Sequence, residues 1–168
     1  DNYDISSSTL VDFDALGPIE ERPYVFPLGV GSCALHLIKH ITDPRGELIV
    51  SEIASELPFV PLRFFSVINV PSSEIRGAHA HKQCAQFLIC LNGSVRVLLD
   101  DSRTRREVIL DRPEMGIYMP PMIWGTQYRY SSDAILLVFA SLEYNSEDYI
   151  RNYDEFVHAI DINYHSSL

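Results

Sequence analysis

From Gly31 onward, the chain alternates short apolar runs with turn-forming residues. The apolar runs predict strands at 34–41, 47–53, 63–70, 86–91, 94–99, 106–110, 116–119 and 135–140. The segments between them are rich in Gly, Pro, Asp, Asn and Ser, which favour turns. Short strands with a turn about every 8–12 residues are typical of an all-β sandwich or barrel. The pair Asn92-Gly93 predicts a tight hairpin between the runs 86–91 and 94–99.

The two ends of the chain follow different patterns. Residues 1–30 contain a run of three serines and three prolines, and we expect an extended arm or linker there, with 31–168 forming one domain. Near the other end, apolar residues at 150, 153, 156, 157 and 160 recur at helical spacing. Asn145 or Ser146 would cap this C-terminal helix, with two acidic residues in its first turn.

Charge and composition exclude some classes of function. The 168 residues carry a formal net charge of −10, which argues against a nucleic-acid-binding protein or a binder of anionic membranes. The longest apolar run, 134–140, is far shorter than the ~20 residues of a membrane span. Three cysteines cannot all pair within one chain and form no Cys-x-x-Cys motif, so we expect a reducing, cytoplasmic location. The chain begins with Asp, and we expect its N-terminus to be processed, trimmed or cut from a longer polypeptide.

The strongest chemical signal is His79-Ala80-His81. On a strand the two imidazoles project from the same face, because side chains alternate with a period of two. Such a pair suits metal ligation or general acid/base chemistry near neutral pH. Two hydrogen-bonded histidines at a barrel rim, with no chemistry, are also consistent with the spacing.

The stretch from Gly77 to Gly93 resembles the first motif of the cupins, in which a polar residue follows the His-x-His pair. Metal-binding cupins usually carry Glu at that place, whereas this chain carries Gln86. The segment that resembles the second motif, 116–125, contains no histidine. Two imidazoles and an amide make a poor site for a first-row metal, so we predict metal-free acid/base chemistry with no cofactor.

A closer resemblance comes from several motifs in one order. They are Asp43-x-Arg45-Gly46-x-Leu48, Arg76-Gly77-x-His79-Ala80-His81-Lys82, Gln86-Phe87-Leu88-Ile89-Cys90-Leu91-x-Gly93-Ser94, Gly116-x-Tyr118, Trp124-Gly125-Thr126-Gln127-Tyr128 and the tail from Asp148 to Phe156. Over about 31–157 the chain resembles the nucleotide-sugar 3,4-ketoisomerases, the WxcM-like cupins. The resemblance implies a double-stranded β-helix (cupin jelly roll) with a C-terminal α-helix.

The resemblance also implies an activity. Family members convert a dTDP-4-oxo-6-deoxyhexose into its 3-oxo isomer, on the way to 3-amino-3,6-dideoxy sugars of bacterial surface polysaccharides. The reaction removes the C3 proton, passes through an enediol and returns a proton to C4, which requires a base and an acid that work near pH 7. In the family the two histidines of His-x-His are the catalytic pair, so His79 and His81 are the expected catalytic residues, with base and acid not assigned between them.

Seven further side chains are candidates for substrate binding, and each also has a purely structural interpretation. Guanidinium groups pair with phosphate oxygens, but they also form surface ion pairs. An inward-facing side-chain amide forms hydrogen bonds with an imidazole or a sugar hydroxyl, or with backbone groups of the barrel. Aromatic rings stack on thymine or line a sugar pocket, or belong to the core. The candidates are Arg45 and Arg76 for the diphosphate, Gln86 and Gln127 for the sugar, and Tyr118, Trp124 and Tyr128 as aromatic groups.

Partners follow from the same resemblance. A dTDP-linked sugar is the expected substrate, and the family tends to form homodimers through strands near the N-terminus. Two departures from the family pattern, Phe64-Phe65-Ser66 before the histidines and Gly125 after the tryptophan, resemble the subset that is fused to an acyltransferase domain. These departures leave the product's stereochemistry at C4 open.

Two alternatives remain. A cupin nucleotide-sugar 3,5-epimerase would need a base and an acid on opposite faces of the sugar, typically one His and one Tyr. A non-catalytic sugar-binding or regulatory cupin would bind without exchanging protons. Deuterium exchange from solvent into the 4-oxo sugar distinguishes all three, by the carbons labelled and the position of the carbonyl.

Overall fold

The computed structural model describes residues 3–16 and 21–167. Over these residues the strands are β1 Thr9–Leu10, β2 Tyr24–Pro27, β3 Ala34–Leu37, β4 Lys39–Asp43, β5 Gly46–Val50, β6 Arg63–Ile68, β7 Arg76–His81, β8 Gln86–Asn92, β9 Val95–Asp100, β10 Arg105–Leu110, β11 Met115–Met119, β12 Trp124–Tyr128, β13 Ile135–Ala140 and β14 Tyr149–Ile150. The α-helices are α1 Ile53–Glu56 and α2 Tyr153–His165, and short 3₁₀ turns lie at Asp14–Leu16 and Ser146–Asp148.

The strands form two six-stranded sheets and one hairpin. The first sheet has the order β1-β10-β9-β12-β7-β14, the second has β2-β3-β11-β8-β13-β6, and β4 pairs with β5. The pairing of β1 with β10 is parallel, and the other pairings are antiparallel. Strands distant in sequence lie side by side in each sheet, as in a jelly roll. The predicted fold class, an all-β cupin barrel with a C-terminal helix, is confirmed.

The predicted hairpin at Asn92-Gly93 is wrong. Both strands exist, but β8 pairs with β11 and β13 in the second sheet, whereas β9 pairs with β10 and β12 in the first. Gly93 has φ +68°, and a Cβ there would lie 2.2 Å from the hydroxyl of Ser131. The Asn92 side chain donates to the carbonyl of Asp133. The Asn-Gly pair therefore forms a corner that carries the chain from one sheet to the other.

The main core lies between the two sheets. Apolar side chains at alternate positions point inward, because successive residues of a strand face opposite sides. Val95, Val97 and Leu99 of β9 are fully buried, and they belong to the same cluster as Leu88 of β8 and Leu136 of β13. Members of this cluster meet polar side chains from β7, β8 and β12 at a cavity inside the barrel.

Helix α2 covers the outer face of the first sheet. Phe156 of the helix and Trp124 of β12 are buried together with Ala80 of β7. The helix begins at Tyr153, with the Asn152 side chain accepting a hydrogen bond at its N-cap. The predicted start near residue 146 is wrong, because Tyr149–Ile150 pairs with β7 as β14 before the helix begins.

The N-terminal segment packs on the barrel where the structure describes it. Strand β1 lies beside β10, β2 pairs with β3, and the hydroxyl of Tyr3 donates to Asp100 at 2.7 Å. Residues 1, 2 and 17–20 of the predicted arm lie outside the described residues. None of the described helices is long and apolar enough to cross a membrane.

Candidate active site

A β-bulge in β7 sets the position of the two histidines. Gly125 of β12 pairs with His79 and Thr126 pairs with Gly77, so Ala78 is the extra residue. Gly77 and Ala78 both have positive φ, +77° and +55°. Glycine is needed at the first position, since a Cβ would lie 2.8 Å from the carbonyl oxygen of Gly125. Bulges commonly re-aim side chains beside active sites.

The two imidazoles lie edge to face inside the barrel. Nε2 of His79 is 3.2 Å from Nε2 of His81, with a ring-to-ring angle of 81°. The amide nitrogen of Gln86 is 3.3 Å from the same nitrogen of His81. The predicted projection of both rings from one face of the strand is therefore confirmed by the geometry.

Asp148 orients the second histidine. Its Oδ2 is 3.0 Å from Nδ1 of His81, and both side chains are largely buried, with 9% and 5% of their surface exposed. The carboxylate also accepts from the backbone N–H groups of Gln83 and Cys84. Because an ionised carboxylate only accepts hydrogen bonds, Nδ1 of His81 must donate, which leaves the lone pair of the neutral ring on Nε2.

The segment that follows the last long strand brings Asp148 to this place. The Asn145 side chain accepts from the N–H of Glu147 and caps the short turn that contains Asp148. Tyr149 then pairs with His81 in β14. From the sequence, Asp148 is predicted only to be one of two acidic residues in the first turn of the C-terminal helix. The resemblance of the segment from Asp148 to Phe156 to the family was a signal that this residue matters. The motif did not predict that Asp148 contacts His81.

Tyr149 packs against both imidazoles and also lines the cavity that His79 faces. Its ring centroid is 4.8 Å from that of His79 and 4.3 Å from that of His81. The guanidinium of Arg151 lies over the same ring at 4.3 Å. A cation above Tyr149 and the histidines disfavours a further positive charge there.

Burial dominates the electrostatics of the pair. Together with the smaller effect of the neighbouring His81, it lowers the pKa of His79 to about 4. Burial also lowers the pKa of His81, while the hydrogen bond and negative charge of Asp148 oppose that shift. A buried imidazole is held neutral because the interior penalises its charged form. Both rings are therefore neutral at pH 7, and a neutral imidazole has one nitrogen lone pair.

A cavity of about 180 Å³ opens in front of His79, between the two sheets. Its polar lining comes from β7, β8, β12 and β14, and its apolar lining from β6, β8, β11 and β13. The lining residues are Phe65, Val67, Arg76, Gly77, His79, Gln86, Leu88, Met119, Gly125, Gln127, Leu136, Val138 and Tyr149. The structure thus brings Arg76, Gln86 and Gln127, three of the predicted binding residues, to the same cavity as His79. His81 lies directly behind His79.

Two other predicted binding residues lie on or near the β4–β5 hairpin side of the barrel, away from this cavity. Arg45 is at the hairpin tip, with 90% of its side chain exposed, and pairs with Asp43 at 2.6 Å. Tyr118 of β11 packs in the cluster on the outer face of the second sheet, 6.3 Å from the ring of Phe59. A role for either in substrate binding stays a prediction.

The last two predicted aromatic residues lie inside packed regions. Trp124 is 2% exposed and contacts Tyr153 and Phe156 of α2. Tyr128 is buried, and its hydroxyl donates to the carboxylate of Glu107. Neither ring lines the cavity in front of His79, and their role in binding also stays a prediction.

Comparisons with known proteins agree on one group. The family model described as "FdtA: WxcM-like, C-terminal" matches residues 31–161. A curated protein of Aneurinibacillus thermoaerophilus, TDP-4-oxo-6-deoxy-alpha-D-glucose-3,4-oxoisomerase, is 43% identical over 118 residues, which cover 70% of this chain and 85% of that protein.

Solved structures give the same result. The WlaRB TDP-quinovose 3,4-ketoisomerase of Campylobacter jejuni has a TM-score of 0.74 and 37% identity, covering 77% of this chain and 99% of that one. The sugar 3,4-ketoisomerase QdtA of Thermoanaerobacterium thermosaccharolyticum, in complex with TDP, has a TM-score of 0.75 and 35% identity, covering 78% and 96%. The barrel, the bulged His-x-His strand and these matches together show that the chain belongs to the FdtA, WxcM-like family.

Proposed function

We propose that the protein is a TDP-sugar 3,4-ketoisomerase, which converts a TDP-4-oxo-6-deoxyhexose such as TDP-4-oxo-6-deoxyglucose into its 3-oxo isomer. The observation that carries this proposal is the pair of imidazoles in contact at the wall of the cavity, with Asp148 behind them. The relatives named above carry this activity in their names and support the same substrate class.

The arrangement suits the two proton transfers of the reaction. A base takes the proton from C3, and the carbonyl oxygen at C4 gains a proton, which gives the 3,4-enediol. The oxygen at C3 then loses its proton while C4 gains one, so the carbonyl ends at C3 and no atom is lost. Two neutral imidazoles whose Nε2 atoms lie 3.2 Å apart accept and return these protons.

Gln86 and Asp148 hold His81 from two sides. The amide nitrogen of Gln86 lies 3.3 Å from Nε2 of His81, and Asp148 holds Nδ1 of the same ring. A base that is held in place needs no reorganisation before it reacts. Gln86 also lines the cavity, where its amide is available to a sugar hydroxyl.

Arginines around the cavity suit the diphosphate. Arg76 is exposed and lines the cavity. Arg63 and Arg151 each lower the pKa of His81 through their charge, which places their positive charge near the reaction centre. Within the described residues, Nε of Arg63 is buried without a hydrogen-bond partner. Guanidinium groups pair bidentately with phosphates, so Arg76, which lines the cavity, is the arginine best placed for the diphosphate.

We also propose that the protein is a homodimer. The edge strand β6 and the segment before it expose large apolar side chains: Val60 is 62%, Leu62 63%, Phe64 68% and Ile68 55% exposed. Contiguous exposed apolar residues of this kind are typical of a protein–protein interface. A role in making 3-amino-3,6-dideoxy sugars, a fused acyltransferase domain and a cytoplasmic location stay predictions.

The test is a product assay on the full chain. Purified protein is incubated with TDP-4-oxo-6-deoxyglucose, and the carbonyl position is read by NMR. We expect the 3-oxo isomer from the wild type and from His158→Asn, whose side chain is exposed on α2. His79→Asn and His81→Asn should lose at least ~10²-fold in rate each, with unchanged far-UV circular dichroism. Full turnover by either of these variants would overturn the assignment.

A further inference from the structure

A second set of donor atoms lies on the side of His81 that faces away from the cavity. One imidazole nitrogen of His81, Sγ of Cys84 and a carboxylate oxygen of Asp148 all lie within 4.8 Å of one another. Nδ1 is the nitrogen beside Asp148, since Nε2 faces His79 and Gln86. His81 is 5% and Cys84 4% exposed, and 9% of the Asp148 side chain is exposed. The proton-transfer function does not use the thiol of Cys84.

We propose that His81, Cys84 and Asp148 form an inhibitory zinc site. One imidazole nitrogen, one thiolate and one carboxylate are a ligand set that Zn²⁺ binds in tetrahedral geometry with a water as the fourth ligand. At the usual bond lengths of about 2.0–2.3 Å, neighbouring tetrahedral ligands are about 3.3–3.7 Å apart. The Nδ1-to-Oδ2 separation of 3.0 Å and the 4.8 Å span of the set therefore need only sub-ångström to ångström-scale adjustment.

Hydrogen bonds around Cys84 support a sulfur ligand. The hydroxyl oxygen of Ser141 accepts from the N–H of Ala85, which leaves its own hydrogen to be donated to Sγ of Cys84 at 3.8 Å. A donor aimed at sulfur stabilises a thiolate. The thiol of Cys84 donates to the carbonyl oxygen of Ala85 at 3.4 Å, and this hydrogen bond breaks when zinc displaces the thiol proton. Asp148 is in turn held by the N–H groups of Gln83 and Cys84. Such surrounding hydrogen bonds orient metal ligands and raise affinity.

Zinc at this site would remove the base that the proposed function needs, and the inhibitory role therefore rests on that function. Zn²⁺ takes the lone pair of Nδ1, so the hydrogen of that nitrogen moves to Nε2. The thiol proton of Cys84 leaves to solvent as the Zn–S bond forms. His81 then carries N–H towards His79 and has no lone pair there to accept a proton.

Binding is tested without any turnover. The full chain is dialysed against ZnCl₂ and its bound zinc is measured by mass spectrometry, and CoCl₂ is titrated to detect the thiolate-to-cobalt absorption band. We expect one zinc per chain and the thiolate band in the wild type and in Cys90→Ser, a matched control at another buried cysteine. Cys84→Ser should bind zinc at least ~10-fold more weakly and lack the band. Cys84→Ala replaces it if the serine variant misfolds.

Inhibition is tested in the ketoisomerase assay. Zinc should abolish turnover of the wild type and of Cys90→Ser, EDTA should restore it, and Cys84→Ser should keep its activity in zinc. Equal zinc binding by Cys84→Ser and the wild type would overturn the site. Bound zinc with unchanged turnover would overturn its inhibitory role. Failure of the proposed function gives a different result, because the cobalt band would persist in a protein without isomerase activity.

Discussion

Replacing Asp148 by Asn tests whether the carboxylate makes His81 reactive. Asn keeps the size of the side chain and one oxygen, which can still accept from the backbone N–H of Gln83, the partner of Oδ1. What it removes is the negative charge together with the acceptor Oδ2, which lies 3.0 Å from Nδ1 of His81 and 3.3 Å from the N–H of Cys84. Glu147→Gln is the matched control, because it removes the same charge from an exposed neighbouring side chain.

The size of the effect follows from the contact that is lost. A hydrogen bond to a charged group contributes about 1.5–3 kcal/mol. Since about 1.4 kcal/mol corresponds to a tenfold change in rate, kcat of Asp148→Asn should fall by ~10–100-fold. Glu147→Gln should stay within about twofold of the wild type, because isolated surface charges contribute little.

The pH profile separates this role from a general loss of structure. Asp148 raises the pKa of His81 against the effect of burial, so its removal lowers that pKa. His81 must be neutral to accept a proton, and activity is lost as pH falls through its pKa. The acid limb of kcat/KM in Asp148→Asn should therefore move to lower pH. Turnover is followed by NMR. If Asp148→Asn shows an unshifted acid limb and a wild-type kcat, Asp148 does not make His81 reactive.

Three further predictions concern stability and are measured by urea unfolding. Gly77→Ala should destabilise the protein more than Gly46→Ala: both have positive φ, which costs about 1–3 kcal/mol, but only Gly77 has atoms at 2.8 Å from the added Cβ. Equal losses would contradict this. Asp100→Ala should lose about 3–5 kcal/mol and expose the N-terminal segment to protease, because the buried carboxylate accepts from Tyr3, Tyr153 and Arg105. A decrease in the free energy of unfolding below about 1 kcal/mol would contradict the paired, buried state of Asp100. Burial holds the pKa of His79 at about 4, so between pH 6.5 and 4 the unfolded chain binds a proton that the folded chain does not. Stability should therefore fall by about 2 kcal/mol from pH 7 to pH 5, and His79→Gln should lose that slope.

The strands themselves follow from local sequence, whereas their partners do not. Residues 135–140 form β13 with the predicted bounds, because an apolar run of that length suits a buried strand. The run at 86–91 is also a strand, but its partners come from β11 and β13, far along the chain. A sequence such as Asn92-Gly93 predicts that the chain turns there. It does not predict to which sheet the next strand belongs. Tertiary packing makes that choice.

The candidate site shows the same division. The spacing of His79 and His81 is a local property, and the pattern of alternation was enough to place both rings together. Asp148 lies 67 positions after its partner His81, so no periodicity connects them. Asp148 also lies before α2, because Tyr149 pairs with His81 as a strand and the helix begins only at Tyr153. Long-range contacts of this kind require the assembled barrel.

The most direct test of the central claim is turnover of TDP-4-oxo-6-deoxyglucose in D₂O, with the product read by NMR. The proposed reaction predicts a 3-oxo sugar that carries deuterium at C4, made by the wild type and abolished in His81→Asn. A product that keeps the 4-oxo group and carries deuterium at C3 and C5 would contradict the account, because that pattern is the signature of a 3,5-epimerase.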